Sequence, residues 1–423
     1  MANGKDSSAE QARPLVRRAA LGGVGAAVLA GPSPGRAQSR PAGGGMSGGG
    51  ATPALVPSAP GSLRLELVAR LDQVTSATDM AWSPDGSRLA VVNGAWFSTR
   101  VLIFDTTSWR LVTTILRGND YGKPTLGFAA NGRELVTGLA GLSVPLEYRD
   151  YRNNPFVFGV FDTETGHLLR RARWPEGFSF GETTSARLIR VSPDGRYAVV
   201  TGGIRRERFL HLYDVARAEF LRAMETPRRA RFEAPDIDRS NRLAVSAVYT
   251  DRGSDTAGPA VRKGIEVFQL PSLQRVLSLE GHLPRVASMA WSPTGDRLLS
   301  GATGLESATD PETGRLREYR DPDPIRIWDG RSGAMITSFP GTIEPVKWLS
   351  WHPSGEMFAS ASAKDIEERG TLIQIFPARG GAPLLRHFAP PREIMDVPCF
   401  CPRTGRLAWS ESGGVMIHKL VNA

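Results

Sequence analysis

One short motif returns seven times along this chain, and that recurrence narrows the possible folds more than any other feature. Trp82-Ser-Pro-Asp-Gly86 comes back as Trp291-Ser-Pro-Thr-Gly295 and Trp351-His-Pro-Ser-Gly355. Looser copies are Phe128-Ala-Ala-Asn-Gly132, Val191-Ser-Pro-Asp-Gly195, Ile237-Asp-Arg-Ser-Asn241 and the longer Phe400-Cys-Pro-Arg-Thr-Gly405. Successive copies lie roughly 46 to 63 residues apart, the spacing of a blade-type repeat. Such a repeat cannot bury its own apolar surface, so the copies must stack.

Each motif is followed by an apolar run, such as Leu89-Ala-Val-Val92 or Leu298-Leu-Ser300. A third run alternates, as in Val101-Leu-Ile-Phe-Asp105 and Ile325-Arg-Ile-Trp-Asp329, and a fourth follows a turn. The β-branched and aromatic content suits pleated, half-buried strands. The Asp-Gly, Asn-Gly and Ser-Gly pairs supply the positive φ of tight turns. Each unit therefore reads as a four-stranded antiparallel meander. Seven of them arranged around an axis give an all-β, seven-bladed β-propeller. Leu63 to Leu71 alternates ahead of the first unit, and the seventh unit stops after three strands at Leu420. The N-terminal strand is therefore expected to complete the last blade and close the ring.

The fifth unit opens on Gly281-His282 and closes on Trp328-Asp329. On these residues the chain resembles the tryptophan-aspartate (WD) repeat propellers over about residues 63 to 420. The resemblance implies that His282 and Trp328 take part in a structural hydrogen-bond network within that blade. The other six units lack the Gly-His pair. The Ser-Pro-Asp-Gly turn also looks like that of Tol-type periplasmic propellers.

Residues 1–37 have the layout of an export signal: basic Arg13 to Arg18, apolar Ala19 to Gly31, then a break through Pro32 to Gly35-Arg-Ala37. The apolar stretch is too short to span a membrane, which needs about 20 residues. Arg17-Arg18 before a weakly hydrophobic core resembles a twin-arginine signal, which implies a periplasmic or secreted protein. The alternative is an unprocessed basic tail on an intracellular scaffold. Residues 38–62, rich in Gly, Pro and Ser, read as a disordered linker, and residues 63–423 as the propeller.

The formal charge of +9 falls to about +6 without residues 1–37, and that excess reads as scattered. A nucleic-acid reader would carry a basic stripe with interleaved aromatics, and Arg228-Arg-Ala-Arg-Phe232 reads instead as a single solvated turn. No nucleic-acid partner is expected. Cys399 and Cys401 read as two small strand residues, with a redox pair as the alternative. The six histidines show no ligand spacing, the acidic stretch Asp310 to Asp323 lacks the alternation of a calcium hand, and no nucleophile elbow or phosphate loop occurs. No metal, cofactor or catalytic residue is assigned. Asp105, Asp162, Asp214 and Asp329 recur after the third strand and read as turn formers.

Long connections between second and third strands, on the face that also carries the joins between blades, are the candidate binding surface. They run Ala140 to Asn154, Tyr249 to Lys263, Thr303 to Asp323 and Ala361 to Gly370. Their candidate contact residues are Tyr148, Arg149, Tyr151 and Arg152 in blade two, Tyr249 and Arg262 in blade four, and Tyr319 and Arg320 in blade five. Tyr and Arg are enriched in binding hot spots. The expectation is an exported, non-catalytic scaffold for a protein or peptide, either a monomer or part of a complex. The alternative is an exported propeller enzyme, a metal-dependent hydrolase or lactonase or an oxidoreductase subunit, working in the axial channel. That alternative rests on fold analogy alone.

Overall fold

The computed structural model describes the chain from residue 61 onward, leaving out 95–98, 119–124, 139–154, 177–187, 205–206, 225–229, 251–259, 283–284, 304, 310–315, 341–344, 364–369, 390–397 and 412. The described residues form seven four-stranded antiparallel sheets and one two-stranded hairpin. Each sheet is a blade. Its first strand lines the axis and its last lies at the rim. The inner strands are Ala77–Trp82, Leu126–Phe128, Leu188–Val191, Ala230–Ile237, Val286–Trp291, Val346–Trp351 and Cys399–Phe400. Each inner strand touches the next, and the last touches the first, which closes the circle.

The recurring motif makes the turn from first to second strand. In blade one Ser83 Oγ donates to Asp85 Oδ1 at 2.6 Å, and the Arg88 amide donates to Ser83 Oγ at 2.9 Å. Ser192 repeats this in blade three with Asp194 and the Tyr197 amide. The turn glycine is needed for two reasons at Gly195. Its φ is 70°, and a Cβ there would sit 2.3 Å from the Ala130 amide nitrogen of blade two. In blade four Asn241 takes the same left-handed conformation at φ 59°, and its side-chain amide donates to Asp194 Oδ2 of blade three at 2.7 Å.

The ring closes as the sequence leads one to expect. Strand Leu63–Leu71 pairs antiparallel with Gly414–Asn422, running from Leu63 opposite Asn422 to Leu71 opposite Val415. It forms the rim strand of a blade whose other three strands come from the C-terminal end.

No blade owns a core. The buried apolar residues fall into seven clusters, and each contains residues of two consecutive blades. The cluster between the last and first blades joins Ile417 and Ala408 to Trp82, Leu89 and Phe104. Polar bonds cross the interfaces too. Leu126 N donates to Asp79 Oδ2, Ile189 N to Thr125 Oγ1, Trp291 N to Asp236 Oδ2 and Phe400 N to Ser350 Oγ, all within 3.0 Å. Ser288 Oγ donates to the Val346 carbonyl at 2.6 Å, and the Trp82 and Trp351 indoles donate backwards to Cys399 O and Ala290 O.

A second cross-blade device was not anticipated from the sequence. Arg88, Arg242 and Arg297 open the second strand of their blades and Arg406 immediately precedes its own, each just before a leucine. Each reaches into the next blade. Arg242 donates to Gly295 O and Gly330 O and lies 4.6 Å from the Trp291 ring. Arg297 donates to Gly355 O at 2.8 Å and lies over Trp351. Arg406 donates to Thr106 O across the closure and lies over Trp109. Arg88 meets Glu164 at 2.6 Å.

Deleting residues 63–71 strips the last blade of its rim strand and removes the buried Leu63 and Leu71. Two such side chains contribute about 1.5–3 kcal/mol each, before eight paired register positions are counted. A fall in Tm of at least roughly 10 °C is expected in a calorimetric scan. Cooperative melting at the parent temperature would show that closure contributes little.

Candidate functional site

Blade five holds the most complete polar network. Trp328 Nε1 donates to Ser300 Oγ at 2.7 Å, and His282 Nε2 lies 2.7 Å from the same oxygen. Since the hydroxyl accepts from the indole, its own proton goes to Nε2. That leaves the histidine proton on Nδ1, which faces Asp321 Oδ2 at 3.4 Å. Arg326 donates to the same carboxylate oxygen at 3.0 Å. Burial lowers the pKa of His282 against the pull of Asp321 and keeps the ring neutral. Burial alone would raise Asp321, but the His282 hydrogen bond and the Arg326 charge outweigh it and hold it below the usual carboxylate value. Blades one, two, three, four, six and seven put Phe104, Phe161, Tyr213, Phe268, Phe376 and His418 at the Trp328 register, opposite Leu89, Leu135, Ala198, Leu243, Phe358 and Leu407 of the second strand. Most of these blades fill the Ser300 register with an apolar residue, so the stack is aromatic throughout and fully polar-linked once.

The aspartates after the third strand act as turn formers. Asp329 Oδ1 accepts from Arg331 N, Ser332 N and Ser332 Oγ, and Asp105 and Asp162 repeat the pattern. Asp214 accepts from the Arg217 amide. The amide and hydroxyl donors lower the pKa of Asp105, Asp162 and Asp329.

The axis is hollow. Inner-strand residues of all seven blades enclose about 1110 Å³. Its charged lining includes Asp79, Arg190, Glu233, Asp236 and Lys347, with Trp348 and Leu349 beside them. The inner strand of blade four is irregular between Glu233 and Asp236, and Ala234 has φ 49°. Next to this irregularity the Trp291 indole N–H has no acceptor among the described residues, unlike Trp82 and Trp351. Asp236 instead caps the Trp291 amide at 2.7 Å. Burial raises its pKa to about 6, against the Trp291 amide and the Arg190 charge. Cys399 lines the channel and Cys401 lies buried in the following turn; both are free thiols. Burial pushes the Cys399 thiol pKa up, which disfavours thiolate chemistry. No group of three or more His, Cys, Asp or Glu suited to a metal occurs among the described residues.

The expected binding face is only partly described. Tyr148, Arg149, Tyr151 and Arg152 lie outside the described residues. Tyr249 and Arg262 sit directly opposite each other on paired strands Arg242–Thr250 and Ala260–Gln269. Tyr319 and Arg320 belong to strand Leu316–Arg320, which pairs with Leu305–Thr309 as a separate hairpin. The segments read as loops from sequence therefore include strand extensions. Blade three likewise stays paired as far as Ile204 opposite Glu207, and blade six as far as Ala363 opposite Thr371. Their polar, glycine-bearing sequences hid this, because exposed strands need no apolar alternation.

The architecture is a seven-bladed β-propeller of four-stranded blades. A family model described as "WD domain, G-beta repeat" matches residues 273–305, which run from the rim strand of blade four to the second strand of blade five. An uncharacterized WD repeat-containing protein of Synechocystis sp. is 26% identical over 174 residues, covering 41% of this chain and 40% of the relative. The match thus spans less than half of that relative's length. Among solved structures, the β-propeller domain of Cps50 (Swd1) from Myceliophteria thermophila aligns at TM-score 0.57 and 12% identity, covering 84% of this chain and 99% of that one. Raptor from Chaetomium thermophilum aligns at TM-score 0.60 and 15% identity, covering 86% of this chain and 29% of that one. At these identities the likeness is one of fold.

Two substitutions probe these contacts. Ser300→Ala leaves two buried nitrogens without a partner, at about 1–3 kcal/mol each, and a Tm lower by roughly 3–8 °C is expected, with Ser300→Thr recovering part of it. The Asp236 carboxyl rises from its ordinary pKa of 3.8 to about 6 in the folded chain. Between these values the folded chain keeps a proton that the unfolded chain releases, so stability falls as pH rises through that window. Asp236→Asn should therefore gain on the parent by about 2 kcal/mol between pH 4 and pH 7. A difference in Tm that stays flat across that range would refute the assignment.

Proposed function

We propose that this chain is an exported, non-catalytic propeller of WD-repeat type that binds a protein or peptide through the face carrying the second-to-third strand connections. The carrying observation is the paired extension of those connections in blades three to six. Antiparallel meanders put them at one end of the ring, and short turns occupy the other. Extended hairpins on a frame bonded at its interfaces make a preorganised surface, which lowers the cost of ordering on binding. The channel reading draws less support. The polar groups Asp79, Thr125, Asp236 and Ser350 are engaged by backbone amides of the following blade. Export rests on the basic, apolar and small-residue order of residues 1–37, and the short linker after it suits a tethered ring.

Two measurements test this reading. N-terminal sequencing of the native protein is expected to begin near Gln38, and an intact Met1 end would remove export. Affinity capture from the periplasm should be compared between the parent and a Tyr148→Ala, Tyr151→Ala, Tyr249→Ala variant. At least tenfold loss of a specific captured protein is expected. Equal recovery by the two would move the binding surface elsewhere.

A further inference from the structure

The positive charge of this protein is not scattered once it is laid on the fold. Residues 168 to 242 hold sixteen arginines and ten carboxylates, and the rest of the chain from residue 38 onward balances to zero. That stretch runs from the rim strand of blade two through all of blade three into blade four. The rim strand of blade three, Glu219–Ala223, ends its sheet, so its outer edge has no neighbouring strand among the described residues. All five of its residues are exposed, whereas every other rim strand described throughout has at least one partly covered residue. Its centre is apolar, with Phe220 36% and Leu221 42% exposed. Phe220 is braced from behind by His211 and Tyr213, with ring centroids 5.5 and 5.7 Å away. Arg217 in the preceding turn and Arg222 on the strand are exposed, and Glu219 is the strand's one carboxylate. On the adjoining rim strand Leu168–Arg173, exposed Arg171 and Arg173 lie over the Phe156 ring at 4.6 and 5.0 Å. None of these four arginines has a carboxylate partner among the described residues.

Open strand edges are normally shortened, charged or covered, because they invite another strand. This edge is open and apolar at its centre, and it lies in the one basic quarter of the ring. We propose that strand Glu219–Ala223 is a second docking site, separate from the loop face, for an acidic peptide that adds to blade three as a fifth strand. Backbone pairing supplies the register, Phe220 takes an apolar side chain on the face it shares with His211 and Tyr213, and Arg222, paired opposite Leu212 on the other face, selects carboxylates on the alternating positions. An open backbone edge favours a peptide over a lipid surface, which offers no strand to pair with.

The test uses the full chain and a labelled ten-residue peptide of alternating Glu and Val. Anisotropy should show saturable binding that weakens with salt, and amide exchange should slow at residues 219–223. Arg217→Glu with Arg222→Glu, two exposed positions, is expected to weaken binding at least tenfold without moving the Tm. The Tyr249→Ala variant of the loop face should bind the peptide unchanged, which separates this site from the reading above. Absent binding, equal affinity in the double variant, or protection at another rim strand such as Gln274–Leu279 would overturn the proposal. So would binding to phosphatidylglycerol vesicles without binding to the peptide, which would assign the surface to a membrane.

Discussion

Every buried apolar cluster in this protein is shared between two blades. A single four-stranded meander has two faces and can cover neither, so its stability is borrowed from both neighbours. The last blade must then meet the first, or two apolar faces stay wet. This makes the pairing of Leu63–Leu71 with Gly414–Asn422 a condition of the whole ring rather than a detail of one sheet. It also makes the fold non-local, since residues more than 340 apart in sequence form a ladder, and such contacts slow folding.

Polar bonds finish what apolar burial begins. Buried backbone amides on the inner strands need acceptors, and side chains of the preceding blade provide them at Asp79, Thr125, Asp236 and Ser350. The residues differ, yet each is short and carries an oxygen. Near the opposite end of the second strand the arginines bridge to carbonyls and ring faces of the next blade. Blade five adds the His282, Ser300, Trp328 and Asp321 network, which the other blades replace with aromatic packing. The repeat-family match at residues 273–305 includes His282 and Ser300 of that network.

A frame held this way leaves its ends and rim free to vary. One end of the ring carries the extended hairpins and the other the tight Ser-Pro-Asp-Gly turns. Charge is uneven around the ring, with blade three at the centre of the basic quarter. The axial channel is roomy, but its polar side chains are partly engaged in holding blades together. Recognition by surface fits this division of labour better than chemistry in the channel.

The sequence alone determined the number of blades, their four-strand plan and the closure of the ring. It could do so because each copy ends its turn on a residue that accepts positive φ, preceded by a short polar residue, and three of the seven share the full Ser-Pro-Asp/Thr-Gly form. Asn241 was readable as the fourth turn residue for that reason, and its φ of 59° agrees. The role of Asp105, Asp162 and Asp329 was equally local. What tertiary structure decided were the contacts between copies. No spacing reveals that Arg242 lies over Trp291, or that Asp236 caps an amide fifty-five residues away. The strand extensions at Tyr249, Arg262, Tyr319 and Arg320 were also invisible, since their polar sequences show no apolar period. Local turn preferences are written in neighbouring residues, whereas the partners of a blade edge exist only after the ring has brought distant segments together.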